Sequence, residues 1–163
     1  HPGIEISARA NLDYHHWLNI QPFFNASFNF YEFDTFVDQE EDFSGNDLTG
    51  VPSQQLSFGL EASVLGNFSL YFQTNAISAT PVNDENTVYT DAYGLSNLRI
   101  GYQFSILKRF TAQVSLMVNN LLDENYASSI VTNAIGFGGS EPRYFYPGEP
   151  RNYMGSVELR YRL

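Results

Sequence analysis

The chain has no cysteine, so it can build neither a disulfide framework nor a thiolate metal site. It has no run of about 18 apolar residues, so no helix of it can cross a bilayer. That absence leaves strand-built spans open, because a membrane strand needs only about ten residues with alternate ones apolar. Basic residues are scarce: 8 Lys and Arg face 18 Asp and Glu, for a net charge of -10, which argues against a nucleic-acid partner. No Ser and His share a nucleophile motif and no EF-hand spacing occurs, so neither an enzyme nor a cofactor or metal requirement is expected. What the chain has in quantity is aromatic: 14 Phe and 11 Tyr against 1 Trp, at a mean hydropathy of -0.26.

The last residues show how those aromatics are used. Between 152 and 163, Tyr153, Gly155, Val157, Leu159, Tyr161 and Leu163 alternate with Asn152, Met154, Ser156, Glu158, Arg160 and Arg162. A period of two is the strand period. The apolar face could meet either a protein core or lipid, whereas the charged face suits a water-filled lumen. Six further segments alternate in the same way, at 3–12, 18–30, 55–64, 68–75, 97–106 and 110–119. Pro22 falls on the apolar face of the second and removes one ladder donor.

The connections alternate too. Turns at 13–17, 65–67 and 107–109 are short, whereas 31–53, 79–91 and 120–150 are long. Short turns at one end and long loops at the other are the habit of outer-membrane barrels, with the long loops outside. Most acidic residues sit in those loops, seven of them (Glu32, Asp34, Asp38, Glu40, Glu41, Asp42 and Asp47) in the first, while Lys108 and Arg109 lie on the opposite rim. The expected fold is therefore all-β: a transmembrane antiparallel β-barrel segment of about seven strands. Seven is odd, and bacterial single-chain barrels use even numbers, so the segment is expected to belong to a larger barrel whose other strands pair with its edges.

Four motifs sharpen this. Gly50-Val51-Pro52-Ser53-Gln54-Gln55-Leu56-Ser57-Phe58-Gly59 resembles the "GVP-x-x-x-L-x-x-G" segment of TonB-dependent outer-membrane receptors. Asn119-Asn120-Leu121-Leu122-Asp123-Glu124-Asn125-Tyr126 resembles their "N-L-F-D-x-x-Y", with Leu122 where Phe is usual. Tyr146-Pro147-Gly148-Glu149-Pro150-Arg151 resembles the "Y-x-G-x-P-R" before their last strand, and His1-Pro2-Gly3-Ile4-Glu5 an upstream "R-G-I/V-E". Leu163 departs from the aromatic residue that usually ends such barrels. The resemblance implies that residues 1–163 are the carboxyl-terminal part of a 22-stranded barrel, without the plug domain and TonB box that precede it. It also implies a Gram-negative outer-membrane receptor that takes up a scarce solute, most naturally a ferric siderophore, with vitamin B12, haem and oligosaccharide as alternatives. TonB, outer-membrane lipid and lipopolysaccharide are the implied partners.

The best candidate ligand contacts are Arg143, Tyr144, Phe145 and Tyr146 in the third loop, a cation with three aromatics. The same four residues suit an interfacial aromatic girdle equally well. Gly136 to Gly139 offer that loop freedom to close over a ligand. Lumen-facing Arg9, Glu61, Arg99, Glu158, Arg160 and Arg162 are expected to pair with one another or to hold the plug. His15 and His16 beside Trp17 read as an interfacial turn, since adjacent strand residues face opposite ways. The acidic loop 34–47 reads as a solvated outer loop near the divalent cations of lipopolysaccharide rather than a calcium site. Two other classes remain: a small eight-stranded adhesin or envelope anchor, and a soluble antiparallel sandwich that binds carbohydrate.

Overall fold

The computed structural model describes residues 2–107 and 109–162; His1, Lys108 and Leu163, and what was expected of them, lie outside the described residues. Its strands are β1 (Gly3–Arg9), β2 (Leu12–Tyr14), β3 (Leu18–Asn29), β4 (Val37–Asp38), β5 (Glu41–Asp42), β6 (Gln54–Val64), β7 (Phe68–Ile77), β8 (Tyr93–Leu107), β9 (Phe110–Asn119), β10 (Ala127–Ile130), β11 (Phe145–Pro147) and β12 (Asn152–Tyr161). One antiparallel sheet runs in the order β1-β3-β6-β7-β8-β9-β12, with β2 also paired to β3. Each long strand therefore lies beside its neighbour in sequence, the up-and-down order of a barrel wall. The wall is open: β1 and β12, at its two edges, are not paired with each other among the described residues.

The register preserves the alternation from strand to strand. One row reads Leu12, Ile20, Ala62, Leu70, Ile100, Leu116 and Gly155. The adjacent row reads Asp13, Asn19, Ser63, Ser69, Gly101, Ser115 and Ser156. Seven strands so aligned make one apolar and one polar face. No second layer covers the apolar face, and its side chains stay exposed: Ile4 at 53%, Val157 at 69%. A soluble sandwich needs those side chains in a core. Among the described residues only Ala26, Val82 and Ala112 are buried hydrophobics, so the sandwich reading fails.

Aromatic side chains collect on the apolar face at the short-turn end, where Tyr102 stacks beside Phe104 at 6.0 Å and Phe110 meets Tyr161 at 4.9 Å. This is the position of an interfacial girdle.

Three details differ from the alternation pattern. The first strand is split at Ala10 and Asn11, opposite Pro22 and Gln21. The register is the same on both sides of the gap, so the missing proline N–H breaks the ladder without a bulge; Ala10 N still donates to Pro22 O at 3.1 Å. Asp13 and Tyr14, expected in the turn, belong to β2, and the turn tightens to a 3-10 helix over His15–Trp17. Tyr14 meets Trp17 edge-on at 6.0 Å and His15 at 4.7 Å, which makes the turn an aromatic cluster. Finally, β8 begins at Tyr93 and β7 continues to Ile77, both beyond the segments that alternate cleanly.

Candidate functional site

The polar face forms the inner wall, and its charges are largely held. Arg9 Nη2 donates to Glu61 Oε1 and Gln21 Oε1, both at 3.1 Å. Arg160 Nε donates to Glu158 Oε1 at 2.6 Å. The Arg99 guanidinium lies 5.4 Å from the centre of the Tyr71 ring, which stacks with Phe23 at 6.2 Å. Pairing within the wall is thus observed for four of the six charged residues named above, while Arg99 takes an aromatic face instead. Arg162 donates its backbone N–H to Arg109 O at 2.9 Å at the short-turn end.

Toward the long-loop end, the inner wall changes character. A concavity of about 700 Å3 opens over two rows, one of Glu5, Ser27, Gln55, Ile77 and Tyr93 and the other of Ser7, Asn25, Ser57, Asn75 and Leu95. Its size lies in the range that holds a small ligand.

The long loops sit beyond this concavity as one interlocked cap. Its centre is the second loop, where Pro81 and Val82 are the most deeply buried side chains of the described residues. Pro81 O accepts from Gly50 N at 2.8 Å, and Val82 O accepts from Asn133 N at 2.8 Å. Asn83 Oδ1 accepts from the N–H groups of Thr87 (3.1 Å) and Val88 (3.0 Å), which folds the loop on itself. Asp84 then joins all three loops. Its carboxylate accepts from the Thr49 hydroxyl and, at 2.8 Å, from Asn133 Nδ2; its carbonyl accepts from Asn46 Nδ2 at 2.7 Å. Asp47 and Asn86 exchange two further bonds, at 2.7 and 3.0 Å. The first loop also carries a small hairpin, β4 with β5, closed by Ser44 N donating to Asp42 at 3.0 Å. The Ser44 hydroxyl, with that N–H, holds the Asp42 carboxyl below the usual carboxylate range.

Replacing Asp84 by alanine should loosen the cap without touching the wall. Each lost side-chain bond to a charged acceptor is worth about 1.5–3 kcal/mol. Amide exchange near Thr49 and Asn133 is therefore expected to speed up roughly ten-fold or more, with β6 to β9 unchanged. Unchanged exchange in both loops would remove Asp84 from this role.

The third loop is clasped at its base by the motif residues. Asn120, which is buried, sends Nδ2 to Glu124 O (2.9 Å) and Glu149 O (3.1 Å), while its Oδ1 accepts from Glu124 N (2.8 Å). Asp123 Oδ1 accepts from Arg151 N at 2.8 Å. Tyr126 lies against Gly148, where an added Cβ would fall 2.1 Å from the ring, and Gly148 N donates to Tyr126 O at 2.7 Å. Two motifs far apart in the sequence are thus two halves of one structure.

The structure places Arg143, Tyr144, Phe145 and Tyr146 above that clasp, where β10 and β11 form a hairpin. Phe145 and Tyr146 border a cleft of about 340 Å3 with Tyr89, Asn125 and Tyr126. Arg143 is exposed. Of the glycines beside them, Gly138 and Gly139 have positive φ, and the neighbouring Ile135 and Phe137 are 91% and 92% exposed. Among the described residues, no three His, Asp or Glu side chains come together as a metal site, the acidic first loop included.

A one-sided apolar wall, a polar inner face and a cap at one end are the parts of an outer-membrane receptor barrel. The family model described as TonB dependent receptor-like, beta-barrel matches residues 1–121. The chain belongs to this family. Members of the TonB-dependent receptor family are receptors of the Gram-negative outer membrane, not enzymes. The fold agrees with a crystal structure of the siderophore receptor PiuA from Acinetobacter baumannii, at a TM-score of 0.65 and 16% identity, over 97% of this chain. The chain spans only 21% of that receptor. No protein with a curated description matches the sequence. Within the family, what alternation alone did not reveal is the work of Asn83, Asp84, Asn120 and Asn133; the Asn- and Asp-rich string from Asn83 to Asn86 was the one visible signal of a built turn.

Proposed function

We propose that residues 1–163 are the carboxyl-terminal part of the barrel of a TonB-dependent receptor, and that the whole receptor draws a ferric siderophore through the outer membrane. The observation that carries this is the division of the wall: an exposed apolar face without a protein layer, a polar inner face, and all three long loops interlocked at one end. Lipid would cover the apolar face, and lipopolysaccharide would meet the acidic first loop. Unpaired backbone groups in lipid cost several kcal/mol each, so further strands are set beside the free sides of β1 and β12. A plug domain and TonB, reached through a segment outside this chain, would supply gating and energy. The siderophore assignment is supported by the family and by the fold shared with a siderophore receptor.

In this reading Arg143, Tyr144, Phe145 and Tyr146 are the extracellular contacts, the guanidinium meeting chelate oxygens and the rings stacking on the ligand. A deletion strain grown under iron limitation should lose uptake of at least one ferric chelate and regain it on complementation. Complementation by the Arg143→Ala, Tyr146→Ala double variant should leave binding weaker by roughly ten-fold, the worth of one charged hydrogen bond. Unchanged uptake of every ferric chelate would overturn the proposal; loss confined to vitamin B12, haem or an oligosaccharide would move the cargo to that class.

A further inference from the structure

The short-turn end of the wall has a charge opposite to that of the cap. Residues 92–122 contain no Asp or Glu, and their cations are Arg99, Lys108 and Arg109. The single acid of 152–163, Glu158, is held by Arg160 on the inner face. Arg99 lies over the Tyr71 ring, also inside. Arg109 differs from both. Its Nη1 donates to the Tyr161 hydroxyl at 3.4 Å, and among the described residues it has no carboxylate partner.

Tyr161 is on the apolar face, where its ring meets Phe110 at 4.9 Å. The guanidinium therefore reaches the outside of the wall at the level of the aromatic girdle, the habit of a long cationic side chain at a membrane interface. The hydroxyl accepts from it and keeps its own proton to give, so two kinds of donor meet at one point. The backbone fixes this corner: Arg162 N donates to Arg109 O at 2.9 Å, which ties the turn to the end of β12. Beside the donors, the register of β8 shifts between Ser105 and Leu107, and two consecutive apolar residues, Ile106 and Leu107, are 51% and 65% exposed.

The group that fits such a corner has anionic oxygens next to hydrocarbon. A lipid phosphodiester meets that description: guanidinium N–H groups pair with phosphate oxygens, and the phenol adds a further donor. Free phosphate would use the donors but leave the apolar flank without a partner. With Lys108 next in the chain and the nearby acid already held, an ammonium in the headgroup gains nothing, so an anionic headgroup is favoured over a zwitterionic one. The long loops mark the outside of the membrane, which sets this corner at the inner leaflet. Resting on the outer-membrane reading above, we propose that Arg109 and Tyr161 form a headgroup site for an anionic phospholipid of that leaflet, with Ile106, Leu107 and Phe110 against its acyl chains.

The test is native mass spectrometry of the full-length receptor in detergent micelles. Its probes are phosphatidylglycerol, phosphatidylethanolamine with the same acyl chains, lipid A and glycerol 3-phosphate. Phosphatidylglycerol should be retained about five-fold better than phosphatidylethanolamine, the worth of one cation at an anionic lipid surface. Arg109→Gln should remove that preference and Tyr161→Phe should reduce it roughly two-fold. Arg99→Gln, the same loss of charge on the inner wall, should leave it as it is. Heat-modifiable migration checks that each variant is folded; Tyr161→Phe decides the matter if Arg109→Gln does not assemble. Equal retention of the two phospholipids, a preference unmoved by the folded variants, or an equal loss in Arg99→Gln overturns this inference and leaves the receptor barrel standing. So does stronger retention of lipid A, or of glycerol 3-phosphate at equal concentration. A full-length chain that stays folded and soluble without detergent overturns both.

Discussion

Gly59→Val is expected to abolish assembly of the barrel. Gly59 lies mid-way along β6 on the inner face, between Phe23 of β3 and Gln73 of β7. A Cβ there would fall 2.1 Å from Phe72 O, 2.8 Å from the Phe23 ring and 2.9 Å from Gln73 Cα. Two of the three obstacles are backbone of the neighbouring strand, which cannot rotate away as a side-chain end can. Overpacking of a core that can adjust costs about 1–3 kcal/mol. Here relief requires β6 and β7 to part, with loss of ladder bonds that lipid does not replace. Even Gly59→Ala should therefore cost at least about 3 kcal/mol, the upper end of that range. The contrast is Gly155 in β12, on the apolar face, where nothing stands within 4 Å of an added Cβ. Gly155→Val should assemble normally. The measurement is the amount of full-length receptor that shows heat-modifiable migration in outer membranes. Normal assembly of Gly59→Val would mean that the ring and strand yield more easily than this geometry allows.

The same wall shows what alternation can and cannot reveal. Segments such as 110–119 were legible because lipid on one side and water on the other impose opposite demands on neighbouring residues: Ala112, Val114 and Leu116 alternate with Gln113 and Ser115, and Met117 is the one apolar residue on the polar side. Near the long loops that contrast lapses. Tyr93 and Leu95 face inward there, and Gly94 and Ser96 face outward, so the polarity of β8 inverts and its first residues do not alternate as membrane strand. β4 and β5 are only two residues long each, too short for any period. The cap was illegible for a different reason. Thr49 meets Asp84 across 35 positions, and Asp84 meets Asn133 across 49, so no local pattern contains the contact. The residue types at Arg143 to Tyr146, proposed above as ligand contacts, were visible, but not the hairpin on which Phe145 and Tyr146 border one cleft. The concavity on the inner wall was not legible because Glu5 is the one charged residue in its lining, and neutral amides and hydroxyls on a polar face have no pattern of their own.

Asn120 is where local chemistry and long-range closure meet, and Asn120→Ala should open the third loop. The loop leaves the sheet at Asn119 and returns at Asn152, and these two residues are paired in register, with Asn119 Nδ2 donating to Asn152 Oδ1 at 2.8 Å. Asn120 stands at the exit with φ of 50°, a left-handed conformation that asparagine tolerates and alanine resists. Its side chain holds the outgoing chain at Glu124 and the returning chain at Glu149. Alanine removes all three bonds and leaves buried groups unsatisfied, at about 1–3 kcal/mol for each group that water does not reach. The backbone strain adds about 1–2 kcal/mol. Two further variants separate these contributions. Asn120→Gly relieves the strain and keeps the lost bonds. Asn120→Asp keeps an acceptor for Glu124 N but sets a carboxylate against the carbonyls of Glu124 and Glu149. The order of loop opening should be alanine and aspartate worst, glycine less and asparagine least. Limited proteolysis between 121 and 151 reads it out, with cleavage at least ten-fold faster in Asn120→Ala than in the parent while β9 stays protected. If glycine opened the loop as far as alanine, the bonds alone would hold the clasp; if aspartate behaved like asparagine, the two carbonyl contacts would have no part in it.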